Sequence, residues 1–322
     1  MSLWGFLRGQ FMTLPVPDED CSGRTIIVTG ANVGLGCEAA RHFVRLGASK
    51  VILACRRIDS GEKARQDIEA STQRQGVVQV WHLDLSSSDS VREFAARVDK
   101  LDRVDVLLNN ASLLSFQKEM VEGHELHLLV NVIYTCLLSI LVLPSLRRTA
   151  AKFNVTPRLT VVASDGAFLA QFPEAKADHI FQELDADPSV MNRYCVTKLL
   201  QLMAMKRLGE AVDASGKGHI IVNGVTPGLC RTELYRSWQF PLNLAVKAFN
   251  MLMARTAEMG SRTLVAAAVA GEETHANWMA DCRLYVWPNS MKGDEGEKLT
   301  SKVWEELMEI LEGVEPGVKD II

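Results

Sequence analysis

Thr25-Ile-Ile-Val-Thr-Gly-Ala-Asn-Val-Gly-Leu-Gly36 decides how this chain folds. The first five residues are a β-branched run, apolar enough to be buried on both faces as a strand. Thr29 to Gly36 is a glycine-rich turn, and a helical pattern follows over 36–47. Glycine lets the backbone of such a turn approach a pyrophosphate, which then sits at the N-terminus of the next helix. The spacing, Gly30-x-x-x-Gly34-x-Gly36, differs from the commoner dinucleotide fingerprint.

The same alternation continues beyond the turn. Strand-like runs at 24–29, 50–54, 77–83, 104–108, 158–163, 219–225 and 283–287 are separated by helical patterns at 59–74, 88–100, 119–144 and 190–214. Repeated strand–helix alternation predicts an α/β fold with helices on both faces of a doubly wound sheet. We therefore expect a single Rossmann-type domain over 22–290 with a mostly parallel seven-stranded sheet. An apolar N-terminal extension (1–21) precedes it, and a C-terminal helical tail (291–322) follows.

Composition excludes several classes. A net charge of −4, with no basic run longer than Arg56-Arg57 or Arg147-Arg148, gives no nucleic-acid footprint. Seven scattered cysteines with no C-x-x-C argue against a zinc cluster or disulfide framework and fit a reducing, cytoplasmic compartment. The apolar run 128–143 is short for a membrane span, contains Asn131, Thr135 and Ser139, and reads as a core helix. The N-terminus is apolar but broken by Gly5, Arg8, Gly9 and Gln10. It leaves three roles open: packing on the body, capping a pocket, or resting peripherally on a membrane.

The second strand candidate runs into Cys55-Arg56-Arg57, with no acid until Asp59. An acid near this point would take a ribose 2′-hydroxyl, whereas a guanidinium fork matches a 2′-phosphate. NADP(H) is thus favoured over NAD(H). Asp84 and Leu85 close the third strand, where a carboxylate can accept from an adenine amino group. The small residues Asn109-Asn110-Ala111-Ser112 close the fourth and suit the back of the cofactor ribose.

Tyr194-Cys-Val-Thr-Lys198 places a phenol and an ammonium one helical turn apart on one face. A phenol ionises near pH 10, and a fixed cation beside it lowers that value toward neutrality. Ser164 ends the fifth strand, thirty positions earlier.

With Gly30, Gly34 and Gly36, Asn109-Asn110-Ala111, Asn131, Ser164, Tyr194-x-x-x-Lys198 and Pro227-Gly228-x-x-x-Thr232 all in order, the chain resembles the short-chain dehydrogenase/reductase family over roughly residues 22–290. Ala54-Cys55-Arg56 and Gly260-Ser261-Arg262-Thr263-Leu264 narrow the likeness to its retinol-dehydrogenase-like branch, especially fungal members. The resemblance implies that Tyr194 exchanges a proton with the carbonyl oxygen and Ser164 orients that oxygen. It implies that Lys198 binds the nicotinamide ribose and lowers the tyrosine pKa, and that Asn131 holds a relay water behind it. Gly30, Asn32, Val33, Gly34, Leu35, Gly36, Arg56, Arg57, Asp84, Leu85, Asn110, Ala111, Pro227, Gly228 and Thr232 would line the cofactor. The family also implies an even-numbered assembly, a homodimer or homotetramer. Two departures stand out: Ser112 where the family usually has glycine, and Asp165 directly after Ser164.

Gly123-His-Glu-Leu-His127 looks like a zinc-protease motif but has one residue too few between its histidines, so no metal is expected. The apolar stretch within 229–259 follows a strand on the ligand side of an open sheet and reads as a substrate flap. Flap and N-terminus together suggest a lipophilic ketone or alcohol, of polyketide or terpenoid type. The other class of reading is a non-redox cofactor-binding protein on the same fold, a regulator or an isomerase or cyclase.

Overall fold

The computed structural model describes residues 9–231 and 253–322. Strands β1 (Thr25–Thr29), β2 (Lys50–Cys55), β3 (Val78–His82), β4 (Val106–Asn109), β5 (Arg158–Val162), β6 (Ile221–Thr226) and β7 (Trp278–Ala280) are parallel. β8 (Arg283–Leu284) closes the edge antiparallel to β7, so the sheet has eight strands in the order 3-2-1-4-5-6-7-8. The order reverses between β1 and β4, and ligands of such sheets bind in the crevice beyond the strand ends at that point.

Alternate strand residues feed two separate cores. Ile27, Ile52, Leu107 and Leu159 pack with α3 (Ser88–Asp99), α4 (Tyr134–Phe153), α6 (Arg193–Ala214) and α8 (Gly293–Val314). Ile26, Val28, Val51, Leu53 and Val106 pack on the other face with α1 (Gly34–Arg45), α2 (Ile58–Thr72) and α7 (Ala257–Val269). The short helix α5 (Ile180–Ala186) precedes α6. α6 is buried on nearly every side because α8 covers it opposite the sheet.

Two boundaries differ from expectation. The last strand expected at 283–287 is shortened to Arg283–Leu284, and a two-residue hairpin turn joins it to Trp278–Ala280, a strand the sequence pattern did not mark. Asp281 and Cys282 both take positive φ (52° and 61°), the conformation of a type I′ turn without its usual glycine. The helix expected at 119–144 starts only at Leu126, because Met120–Val121 and His124–Glu125 form a small hairpin ahead of it. It then passes through a π-helical turn, Leu129–Ile133, and through Pro144 to Phe153. Leu126–Phe153 is long and apolar enough to cross a membrane by composition, and 83% of its most apolar window is buried inside the protein.

Candidate active site

β1 ends at Thr29, and the turn after it folds against the end of β4. A Cβ added at Gly30 would stand 2.9 Å from the Ala111 Cα, and one at Gly36 would stand 2.5 Å from Asn110 Nδ2. Only glycine permits that approach. The α1 N-cap, Val33, offers no side-chain bond, and no acid lies in the first turn. The leading N–H groups of α1 are therefore left for an outside acceptor, as a phosphate site requires.

Asn110 braces this turn. Its Nδ2 donates to the Thr29 carbonyl at 2.9 Å, and its backbone N–H donates to Thr29 Oγ1 at 3.0 Å. The Ala111 amide reaches the same hydroxyl at 2.9 Å. Asn32 Nδ2 donates to Ser60 Oγ at 3.0 Å, tying the glycine turn to the start of α2. Arg56 and Arg57 are exposed at the end of β2, with no side-chain partner among the described residues. Asp84 Oδ1 accepts from the Ser86 amide at 2.9 Å and the Ser86 hydroxyl at 2.7 Å. Leu85, beside it, is buried. An uncapped helix start, a glycine cradle and two free guanidiniums fit a phosphorylated dinucleotide.

Beyond the crevice, α6 carries Tyr194 in its first turn and Lys198 one turn later. The Lys198 ammonium is 1% exposed and lies 5.5 Å from the centre of the Tyr194 ring. It donates to the Val162 carbonyl at 2.9 Å and to Gln201 Oε1 at 2.8 Å. A lysine has three N–H donors, so one remains for a ligand. Burial pushes its pKa down to about 7. Ser164 Oγ accepts from the Gly166 amide at 3.1 Å, which leaves its own O–H to donate elsewhere. A Cβ at Gly166 would touch Ser164 Oγ at 3.4 Å and Tyr194 Cε1 at 3.6 Å, so serine and tyrosine converge across a glycine that leaves the space between them open.

The Asn131 side chain makes four hydrogen bonds. Oδ1 accepts from the Leu113 amide (2.7 Å) and Ser112 Oγ (3.1 Å), and Nδ2 donates to the Leu113 carbonyl (3.0 Å) and Thr197 Oγ1 (3.1 Å). Those four bonds exhaust an amide's capacity, so the side chain holds the 112–113 loop against α6 and has no position left for a water. They also give the hydroxyl of Ser112, the departure from glycine, a partner.

Asp165 Oδ1 is buried without a hydrogen-bond partner. Burial, then the nearby Asp281 charge, raises its pKa to about 6, against the lowering effects of Arg255 and Thr226. Pro227 and Gly228 follow β6, as expected, while Thr232 and most of the flap at 229–259 lie outside the described residues. Sequence reading missed Gln201, although its position three residues after Lys198 on the same helix was a usable signal.

The metal look-alike is a hydrogen-bonded anchor. His127 Nδ1 pairs with Glu125 Oε1 at 2.6 Å while Nε2 accepts from the Ser115 amide at 2.9 Å. Asp213, His219 and His275 also lie close together, but His275 Nδ1 accepts from the Val222 amide. Its proton therefore sits on the other nitrogen, the one that faces Asp213, where a metal would need a lone pair.

Comparison with known proteins agrees with this geometry. Residues 24–151 match the family described as short chain dehydrogenase. The short chain dehydrogenase/reductase dmxR8 of Cryptosporiopsis sp. is 41% identical over 98% of this chain and 98% of its own. The short-chain dehydrogenase anuD of Penicillium roqueforti is 40% identical over 99% of this chain and 85% of its own. Among solved structures, a Pseudomonas aeruginosa RhlG/NADP active-site complex superposes with a TM-score of 0.62 at 23% identity, covering 82% of this chain and 96% of that one. That last likeness speaks to the fold alone, whereas the two fungal relatives span both the glycine turn and the tyrosine–lysine helix. Together they make this chain a member of the short-chain dehydrogenase/reductase family of oxidoreductases.

Proposed function

We propose that this protein is an NADPH-dependent ketoreductase, or the matching alcohol dehydrogenase, acting on a lipophilic carbonyl compound of specialised metabolism. The observation that carries the reading is Lys198. A fully buried ammonium costs stability and so calls for a function, and this one stands beside a phenol with one donor left over. When bound, the nicotinamide supplies or accepts the hydride. Ser164 Oγ–H hydrogen-bonds the carbonyl oxygen and stabilises charge as it develops there. Tyr194 donates its phenolic proton to the same oxygen, and the adjacent Lys198 charge eases that loss. Thr197 and the Asn131 amide hold α6 and the 112–113 loop in register around the pair.

Two further features support the remaining parts. The free guanidiniums of Arg56 and Arg57 suit a 2′-phosphate. The segments bearing Ser164 and Tyr194 also carry the exposed apolar side chains Leu169 and Met191, 68% and 77% accessible, which suit an apolar substrate. All seven cysteines are free thiols, in keeping with a reducing compartment such as the cytoplasm.

The test follows loss of reduced-nicotinamide absorbance with a panel of apolar ketones. Tyr194→Phe should lower turnover about a thousandfold, the weight of a positioned proton donor. Unchanged turnover in that variant, or cofactor binding without consumption across the panel, would overturn the reading.

A further inference from the structure

The segment ahead of β1 is fastened to the far end of the candidate site. Gln10 is 6% exposed. Its Nε2 donates to the Leu229 carbonyl at 2.6 Å, and its Oε1 accepts from the Leu229 amide at 3.1 Å. An amide side chain that meets both polar groups of one residue fixes the peptide planes on either side of it. Arg255, equally buried, adds a second tie: Nη1 donates to the Pro227 carbonyl at 3.2 Å, and Nη2 donates to the Gly9 carbonyl and to Asp281 Oδ1, the latter at 2.6 Å. Gly228 sits between the two ties with φ 73°, and a Cβ there would stand 3.2 Å from both Arg255 Nη1 and Gln10 Oε1. Further along, Leu14 is 1% exposed and its carbonyl accepts from Arg262 of α7 at 2.7 Å. The strap is thus anchored at both ends.

We propose that Gln10 and Arg255 are positioning residues for the nicotinamide half of the cofactor, with the N-terminal segment acting as a strap. They hold the Pro227–Gly228–Leu229 turn, before cofactor arrives, in the conformation that receives the carboxamide. This rests on the cofactor site proposed above. Holding the turn in advance removes an ordering cost from binding. The adenine half is gripped elsewhere, by the glycine turn after β1 and the arginines after β2, and among the described residues the strap has no bond to either. Its contribution is therefore confined to one end of the ligand.

That confinement is the test. NADPH and 2′-phospho-ADP-ribose, which lacks the nicotinamide, are titrated calorimetrically into the full chain and into Gln10→Ala. The variant should bind NADPH about tenfold more weakly, one buried hydrogen bond's net worth, and bind the fragment as the wild type does. Arg255→Lys keeps the charge but cannot fork to three partners, and should show the same one-sided loss. Equal weakening of both ligands, or unchanged NADPH affinity in both variants, would overturn the strap. A wild-type chain that binds neither ligand would instead remove the cofactor reading, and the strap with it.

Discussion

Gln201 Oε1 accepts from Lys198 Nζ at 2.8 Å, three residues further along the helix that carries the tyrosine–lysine pair. Gln201 is 3% exposed and its own Nε2 has no partner among the described residues. The ammonium is thus supported by a neutral dipole and a carbonyl, with no carboxylate among its hydrogen-bond partners. Burial therefore outweighs what its partners supply, and its pKa falls to about 7.

Changing that dipole should move the pH dependence of turnover. Gln201→Glu sets a carboxylate against the ammonium and favours its charged form, so the pH–rate profile should extend to higher pH by about one unit. Gln201→Leu should lower kcat near neutrality about tenfold, the worth of one lost hydrogen bond to a charged group. Profiles of kcat against pH for the three proteins decide it, and three superimposable profiles would refute it.

Lys198 also predicts a stability slope. Its folded pKa of about 7 lies below the ordinary value of 10.5. Between these values the unfolded chain holds a proton that the folded chain has released, so stability of the cofactor-free protein rises with pH across that window. Lys198→Met should flatten this slope, gain about 1–3 kcal/mol near pH 7, and abolish turnover. Urea unfolding of both proteins at about pH 7 and about pH 9 measures it.

Arg56 and Arg57 should set cofactor choice. Each exchanged for alanine should raise KM for NADPH about tenfold while leaving KM for NADH within about twofold, because only the 2′-phosphate is lost to the guanidinium. A wild type that prefers NADH would contradict the assignment directly.

Asp165 gives the opposite slope to Lys198. Its folded pKa of about 6 lies above the ordinary 3.8, so the folded form keeps a proton that the unfolded form has lost. Stability then falls as pH rises through that window and stays lower above it. Asp165→Asn should gain about 1–2 kcal/mol near pH 8, after allowance for partial exposure, and should converge with the wild type near pH 4. Denaturation midpoints at the two pH values suffice to check it.

Much of this was legible in the sequence for a physical reason. β-Branched runs, a glycine turn and a four-residue helical spacing are local patterns, and they placed β1, the turn after it and the helix that carries Tyr194 and Lys198 where the structure has them. What escaped was non-local. The partners of Asn131 lie 18, 19 and 66 positions away, so its amide could not be seen to be fully occupied. Gln10 meets Leu229 across 219 positions, and no periodicity announces such a pair. The hairpin over Asp281 and Cys282 was hidden differently, since Cys282 stands where such a turn usually has glycine.

The π-helical turn Leu129–Ile133 has a consequence for how this chain can change over generations. Losing one residue there would restore α-helical hydrogen bonding across the turn and leave the flanking segments in register, with Pro144 the remaining gap in the ladder. By every local measure the result would be a better helix. A deletion elsewhere in the helix would instead swing everything upstream by about 100°, one residue's share of a helical turn, and pull Glu125 and His127 away from Arg193 and Ser115. Outside that turn, this helix should tolerate substitutions far more readily than a single in-frame codon deletion, so its length is held more tightly than its lettering.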